Sequence, residues 1–160
     1  MAQEETQANK ELLLKDLCAR VPYGVIGQCE IDASYDTLFE ANPQTHRFNA
    51  VVYGILEEGS LFVTPLIEDQ DIQEFANEEV ADGVDILDFK PYLSQMSSMT
   101  DYEKIEWHKI TIGQRWITEN NIERCIDWLN SHHFDYRGLI EKGLAIEAPV
   151  GMYEINTIIA

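Results

Sequence analysis

Two segments in the first half of the chain have the residue patterns of β-strands. Residues 23–31 place Cys29 and Ile31 on one face and Glu30 on the other, which predicts a half-buried strand. Residues 48–56 carry apolar side chains on both faces, a pattern that is typical of a strand inside a sheet. Both segments are therefore predicted to belong to a β-sheet.

A tight turn is predicted directly after the second of these strands. Residues 57–60 read Glu-Glu-Gly-Ser, and Gly59 can adopt the positive φ that a hairpin turn requires. Residues 61–66 are then expected to return antiparallel to the preceding strand. Pro65 cannot donate a hydrogen bond to a neighbouring strand, so the returning strand should end there or lie at an edge.

Helices are predicted on both sides of these strands because apolar residues recur there at helical spacing. The predicted helices cover residues 9–20, 72–80, 100–110 and 119–132, followed by a short helix from Asp135 to Gly143. Residues 84–89 and 144–148 are predicted as short strands, and residues 32–46 and 91–99 as loops. Thr100 and Glu103 form a capping-box pattern. The prediction is an α+β fold, a small antiparallel β-meander flanked by three to five helices.

Length and composition favour one domain. A chain of 160 residues, 45% of them hydrophobic, can bury a real core, so we expect a disordered tail over residues 1–8 and a single domain over residues 9–160. The N-terminus has neither the basic nor the apolar region of a secretory signal, and no apolar run approaches about 20 residues. The expected location is therefore the cytoplasm, with no membrane contact.

Charge is the most unusual property of the sequence. The formal net charge is −18, from 29 acidic and 11 basic residues. Residues 68–88 contain nine acids and no base: Glu68, Asp69, Asp71, Glu74, Glu78, Glu79, Asp82, Asp85 and Asp88. Such a surface repels nucleic acids and attracts basic proteins, so these nine acids are the candidate binding residues and a basic protein is the expected partner. The alternative is a solvated acidic surface without a specific partner.

The strongest candidates for metal or acid–base chemistry are His132, His133 and Asp135. Neighbouring helical residues point about 100° apart, so the two histidines are poorly placed to share one ion. The alternative is that they finish a helix, where histidine suits the helix dipole. We therefore expect no cofactor, keep the three residues as weak metal candidates, and assign no catalytic residue.

Other motifs for bound groups are incomplete. Asp69 and Asp71 begin like a calcium loop, but Glu74 stands where that loop needs glycine. Glycine-rich nucleotide-binding loops are missing from the sequence. The three cysteines, Cys18, Cys29 and Cys125, are widely spaced, and each is expected to be a small buried apolar residue.

Three segments resemble a known family. They are residues 126–145 (IDWLNSHHFDYRGLIEKGLA), residues 10–20 (KELLLKDLCAR) and residues 90–100, which begin KPYL and end SSMT. Together they are similar to small uncharacterised proteins from gut bacteria and their phages. The resemblance implies a bacterial or phage-related cytoplasmic protein and implies no mechanism.

Three functions follow from these features as hypotheses. The first is a non-enzymatic interaction module that binds a basic protein, in its sharpest form a phage-type inhibitor that imitates the charge of nucleic acid. The second is a metal-dependent enzyme that uses His132, His133 and Asp135. The third is a structural component that binds copies of itself, since the sequence leaves the oligomeric state open.

Overall fold

The computed structural model describes residues 1–32, 45–56, 58–111 and 119–153. Their contacts divide the chain into two compact units, residues 1–91 and 92–160, which we call the first and second unit. Each unit has its own hydrogen-bonded strands and its own buried apolar residues.

The first unit contains an antiparallel sheet. Its described strands are β1 (Ile26–Asp32), β2 (Thr45–Ile55), β3 (Ser60–Pro65), β4 (Val84–Asp85) and the beginning of β5 (Phe89–Gln95). The order across the sheet is β4-β3-β2-β1-β5, and every pairing among these strands is antiparallel. Gly59 has a φ of 82° at the turn between β2 and β3. The predicted meander, its turn and the end of β3 at Pro65 are confirmed.

Strand β2 is an inner strand, as expected, but its two faces differ in burial. Phe48 and Val52 are buried, whereas the ring of Tyr53 on the other face is exposed. Leu56, which alternation placed beside Phe48, is also exposed. A register shift between Val52 and Gly54 breaks the alternation there, because one extra residue reverses the faces that follow it.

Helix α1 (Ala2–Arg20) begins seven residues before the predicted start at Asn9, so the tail predicted over residues 1–8 is almost wholly helical. Two acids, Glu4 and Glu5, lie in its first turn, where they interact favourably with the helix dipole. Leu13 and Leu17 are buried, and the helix contacts the 3₁₀ turn Ile86–Asp88. Helix α2 (Gln70–Val80) buries Ala76 and Val80 and contacts β3.

Strand β5 corrects the prediction of a loop over residues 91–99. Pro91 pairs with Gly27 of β1, and the ring of Phe89 lies so close to Gly27 that a β-carbon there would collide with it. The residues that follow Pro91 belong to the second unit and pair in parallel with β6 (Phe134–Asp135) and β7 (Ile146–Glu147). A 3₁₀ turn, Met96–Ser98, ends the segment.

The second unit also contains helices α3 (Asp101–Thr111) and α4 (Glu119–Ser131), which contact each other. Thr100 and Glu103 form the predicted capping box, since each backbone amide donates to the other side chain at 2.7 and 3.2 Å. The buried cluster is Met99, Leu129 and Phe134, with Met96, Trp107, Trp128 and Tyr136 packed against it. With four α-helices and mainly antiparallel strands in the described residues, the α+β class is confirmed.

Two details of the second unit differ from the predictions. The apolar stripe of α4 is mostly uncovered, because Ile122 and Ile126 are exposed and only Leu129 is buried. The segment after Asp135 forms turns rather than a helix, although Gly143 ends it at a φ of 74°. The predicted cap of α4, Thr118, lies outside the described residues. Among the helices that the structure describes, none is both long and apolar enough to cross a lipid bilayer.

Candidate functional site

Three of the nine candidate acids lie on one side of α2. Asp71, Glu74 and Glu78 are spaced three and four residues apart, so their side chains share a helix face, and all three are exposed. The buried residues Ala76 and Val80 hold the helix to the rest of the first unit. We call Asp71, Glu74 and Glu78 the acidic helix face.

The acids beyond the first turn are unfavourable for the helix itself. Glu74 and Glu78 are like charges at i, i+4, which destabilise a helix by about 0.2–0.5 kcal/mol. Glu78 and Glu79 lie near the C-terminus, where the helix dipole disfavours negative charge, and the last turn contains no basic residue. The acids of the last turn therefore do not serve the stability of α2.

The acids that flank α2 have different surroundings. Asp69 is the N-cap, and its carboxylate accepts hydrogen bonds from the amides of Asp71 and Ile72 at 3.0 and 3.1 Å. Glu68 and Asp82 are exposed, and Glu79 is half-buried. Asp69 therefore caps α2, whereas no such capping hydrogen bond is described for Glu68 or Asp82.

The remaining two acids, Asp85 and Asp88, lie at the 3₁₀ turn and belong to a separate group. Cys29 pairs with Phe89 across β1 and β5, which brings Glu30 towards Asp88. Partial burial, together with the carboxylates of Asp85 and Glu30, raises the pKa of Asp88. Asp85 caps the turn by accepting a hydrogen bond from the amide of Leu87 at 2.9 Å.

Glu30 also belongs to this group, although the sequence patterns did not identify it as a candidate. Alternation correctly placed Glu30 on the polar face of its strand, but its closeness to Asp88 depends on the pairing of β1 with β5. Arg47 on β2 donates a hydrogen bond to the Glu30 carboxylate at 2.8 Å, and the Arg47 side chain is exposed whereas Glu30 is half-buried. Among the described ion pairs, Arg47 is thus the only basic residue that pairs with a carboxylate of this group.

Little of the negative charge in this region is neutralised. Four ion pairs occur in the described part of the chain, and none of them includes one of the nine acids. The first unit contains 19 acidic and 5 basic residues, a net charge of −14, against 10 and 6, or −4, for the second. The charge is therefore concentrated in the first unit, and the nine acids all belong to it.

His132, His133 and Asp135 each have different partners. The His132 ring stacks on Trp128 with 4.1 Å between centroids, and the buried His133 ring stacks on Tyr153 at 3.6 Å. The Asp135 carboxylate accepts hydrogen bonds from two backbone amides, those of residues 139 and 140, at 2.9 Å. These contacts do not gather the three side chains around one ion.

The other candidate motifs have structural roles. The Gln73 side chain accepts from the amide of Ile67 and donates to the carbonyl of Pro65, so the segment that resembles a calcium loop is the anchored start of α2. No group of three histidine, cysteine, aspartate or glutamate side chains within the described ranges is placed to hold a metal ion. Of the three cysteines, Cys29 is buried as expected, whereas Cys18 is exposed.

Comparisons of the chain with protein-family models, with curated proteins and with solved structures each gave no match.

Proposed function

We propose that this protein is a non-enzymatic interaction module whose acidic helix face binds a basic surface of another protein. The observation that carries the proposal is the exposed row of Asp71, Glu74 and Glu78, none of which takes part in a described ion pair. Two members of the row, Glu74 and Glu78, repel each other and weaken α2, and residues that break a local stability rule are commonly functional. A basic partner would relieve this repulsion.

The electrostatics also favour a basic partner. A net charge of −14 on the first unit steers a basic surface towards it and repels phosphate backbones. The contacts would be between exposed charges, so salt should weaken them strongly. A partner rich in lysine and arginine fits these properties, and direct binding to nucleic acid does not.

The sharper form of the proposal is an inhibitor that occupies the nucleic-acid site of its partner. Proteins that bind nucleic acid present clustered lysine and arginine to phosphates. A helix with carboxylates along one face offers negative charge in a comparable row. In this form, the protein and a nucleic acid compete for the partner, whereas an ordinary acidic ligand leaves nucleic-acid binding intact.

Affinity capture with a charge-matched control tests the proposal. Three bait proteins are compared, of which the first is the wild type. The second is the triple helix-face variant, with Asp71→Asn, Glu74→Gln and Glu78→Gln combined. The third is a triple control variant, with Glu123→Gln, Asp127→Asn and Glu141→Gln combined. Each variant lowers the net negative charge by three, and all six side chains are exposed. The extract is washed at about 0.1 M and about 1 M salt, where the Debye length is about 10 and 3 Å.

We expect a basic protein that the wild type and the control retain at low salt, and that the helix-face variant loses. Retention by the helix-face variant at the level of the control would contradict the proposal. If the two variants lose the protein equally, net charge alone accounts for binding and the helix face is not the site.

One observation favours self-association as a second candidate function. Helices α3 and α4 of the second unit expose large apolar side chains, with relative accessibilities of 69% for Tyr102, 54% for Ile105, 49% for Ile122 and 39% for Ile126. Ile122 and Ile126 are four residues apart and therefore adjacent on α4. Exposed apolar residues that cluster in this way are typical of protein–protein contacts.

Sedimentation velocity over a hundredfold range of concentration tests this second candidate. Self-association predicts a sedimentation coefficient that rises with concentration in the wild type and in the control Leu87→Gln, an exposed apolar position of the first unit. This rise of the sedimentation coefficient should vanish in the double variant that combines Ile122→Gln and Ile126→Gln. A wild type that stays monomeric throughout would exclude it.

A further inference from the structure

The second unit has a cavity of about 210 Å³ that is open to solvent and that none of the nine acids lines. Its walls come from the end of β5, the start of α3, the end of α4 and residues 147–153. Drug-sized molecules occupy pockets of about 300–1,000 Å³, so this cavity suits a smaller ligand. An inference about the cavity is therefore independent of the function proposed for the first unit.

The ionisable groups that line the cavity are Glu103, Glu147 and His132, with no lysine or arginine among the lining residues. The Glu103 carboxylate accepts from the amide of Thr100 at 2.7 Å, and Glu147 accepts from the side-chain amide of Gln95 at 3.4 Å. A carboxylate offers about four acceptor positions, so each retains capacity beyond these bonds. The lining carries two formal negative charges.

His132 is the third ionisable residue of the lining. Its Nδ1 lies 2.9 Å from the carbonyl oxygen of Trp128, which can only accept, so Nδ1 carries the hydrogen. Nδ1 is also 3.1 Å from the hydroxyl of Ser131. In the neutral ring Nε2 is then an acceptor, and it lies 3.8 Å from a carboxylate oxygen of Glu106. Stacking on Trp128 fixes the orientation of the ring.

The wall opposite is held in place by specific contacts. The Tyr153 hydroxyl donates to the carbonyl of Tyr92 at 2.6 Å, and the amide of Ala148 donates to the carbonyl of Leu93 at 2.8 Å. The Tyr153 ring stacks on His133, whose φ of 57° is rare for a residue other than glycine. The positive φ lies at His133 itself, and backbone conformations of this kind are concentrated at functional sites.

We propose that this cavity binds a small organic cation, an alkylammonium or alkylguanidinium group, between the carboxylates of Glu103 and Glu147. The cationic head donates hydrogen bonds to the two carboxylates and to Nε2 of His132. The aromatic rings of Phe134 and Tyr153, which also line the cavity, contact the alkyl part. An anionic ligand of the same size meets only like charge.

Calorimetric titration of the full-length protein tests this proposal with three probes of matched shape: butylammonium, butyrate and butanol. The variants are Glu147→Gln and Glu103→Gln, of which the second keeps a side chain able to complete the capping box. The controls are Glu123→Gln on α4 and the helix-face variant of the first unit. Two-dimensional NMR follows the ring protons of His132 and Tyr153 during the titration.

We expect saturable binding of butylammonium that shifts the His132 and Tyr153 signals, and no binding of butyrate or butanol. Each cavity variant should lose about tenfold in affinity, as removal of one charged hydrogen bond implies, while both controls bind like the wild type. Equal binding of butanol, undiminished affinity in Glu147→Gln, or the absence of saturable binding would overturn the proposal. Loss of binding in the helix-face variant would place the cation on the first unit instead.

Discussion

The guanidinium group of Arg20 forms two hydrogen bonds to the carboxylate of Asp16, at 2.8 and 3.1 Å, and both side chains are fully buried in the first unit. The nine acids of the same unit differ from Asp16, because none of them has a partner among the described ion pairs. Among the described ion pairs, the first unit thus neutralises the buried carboxylate of Asp16 and none of the nine acids.

Breaking the buried pair from one side should destabilise the first unit strongly. Arg20→Met leaves the Asp16 carboxylate buried without its counter-charge, which costs about 3–5 kcal/mol of unfolding free energy. Replacing both residues, by Asp16→Leu with Arg20→Met, should recover much of that loss, because no buried charge remains. Urea denaturation followed by circular dichroism measures both. A double variant that is no more stable than Arg20→Met would contradict this account of the pair.

Variants of Asp69, the N-cap of α2, distinguish the effect of its negative charge from the effect of its capping hydrogen bonds. Asp69→Ala removes the acceptor for two amides and should lower stability by about 1 kcal/mol, whereas Asp69→Asn keeps a capping side chain without the charge and should be nearly neutral. Thermal denaturation of both variants makes the comparison. Equal losses in the two would show that the charge of Asp69, rather than its capping bond, stabilises the helix.

Thiol labelling should distinguish the cysteines by exposure and acidity. Burial, with the neighbouring Asp88 carboxylate, raises the pKa of Cys29 to about 12, so this thiol carries little thiolate at neutral pH. Cys18 is exposed and should react readily with a maleimide. Mass spectrometry after timed labelling should find Cys18 modified first and Cys29 modified only when the protein unfolds. Rapid labelling of Cys29 in the native state would be inconsistent with its burial.

The raised pKa of Asp88 makes a prediction about pH. Because the folded state binds this proton more tightly than the unfolded chain, the ionised form of Asp88 destabilises the fold above the raised pKa. Below the usual value of 3.8, Asp88 is protonated in both states and the penalty disappears. Asp88→Asn should therefore melt higher than the wild type at pH 7, with the difference vanishing below pH 3.8. A gain that is independent of pH would exclude this electrostatic cause.

The sequence was sufficient for the parts of the fold that local patterns determine. Alternation located β1 and β2, Gly59 located the hairpin, and the Thr100–Glu103 pattern located the start of α3. Each of these signals lies within a few residues, so no knowledge of distant contacts was needed.

Strand β5 could not be predicted in the same way. Proline usually argues against an inner strand, but Pro91 faces Gly27, which leaves room for the ring of Phe89. That arrangement depends on residues about sixty positions apart. The partners of Asp88 depend on the same pairing, so the sequence identified the nine acids without showing that two of them lie with Glu30.

The buried pair on α1 was visible in the sequence. Asp16 and Arg20 fall on the same helix face as Leu13 and Leu17, at spacings of three and four residues. Opposite charges at i, i+4 on an apolar face can be buried as a pair, but their spacing alone does not distinguish a buried pair from a solvated one. On α4 the helical spacing of apolar residues predicted a buried stripe, but Ile122 and Ile126 are exposed in the described part of the chain.

The most direct test of the central claim is the salt dependence of the dissociation constant for the captured basic partner. The wild type and the charge-matched control should bind with the same strong dependence on salt, whereas the variant Asp71→Asn, Glu74→Gln, Glu78→Gln should bind about tenfold or more weakly with a shallower dependence. Three coincident curves would contradict the claim, because they would show that the acidic helix face takes no part in recognition.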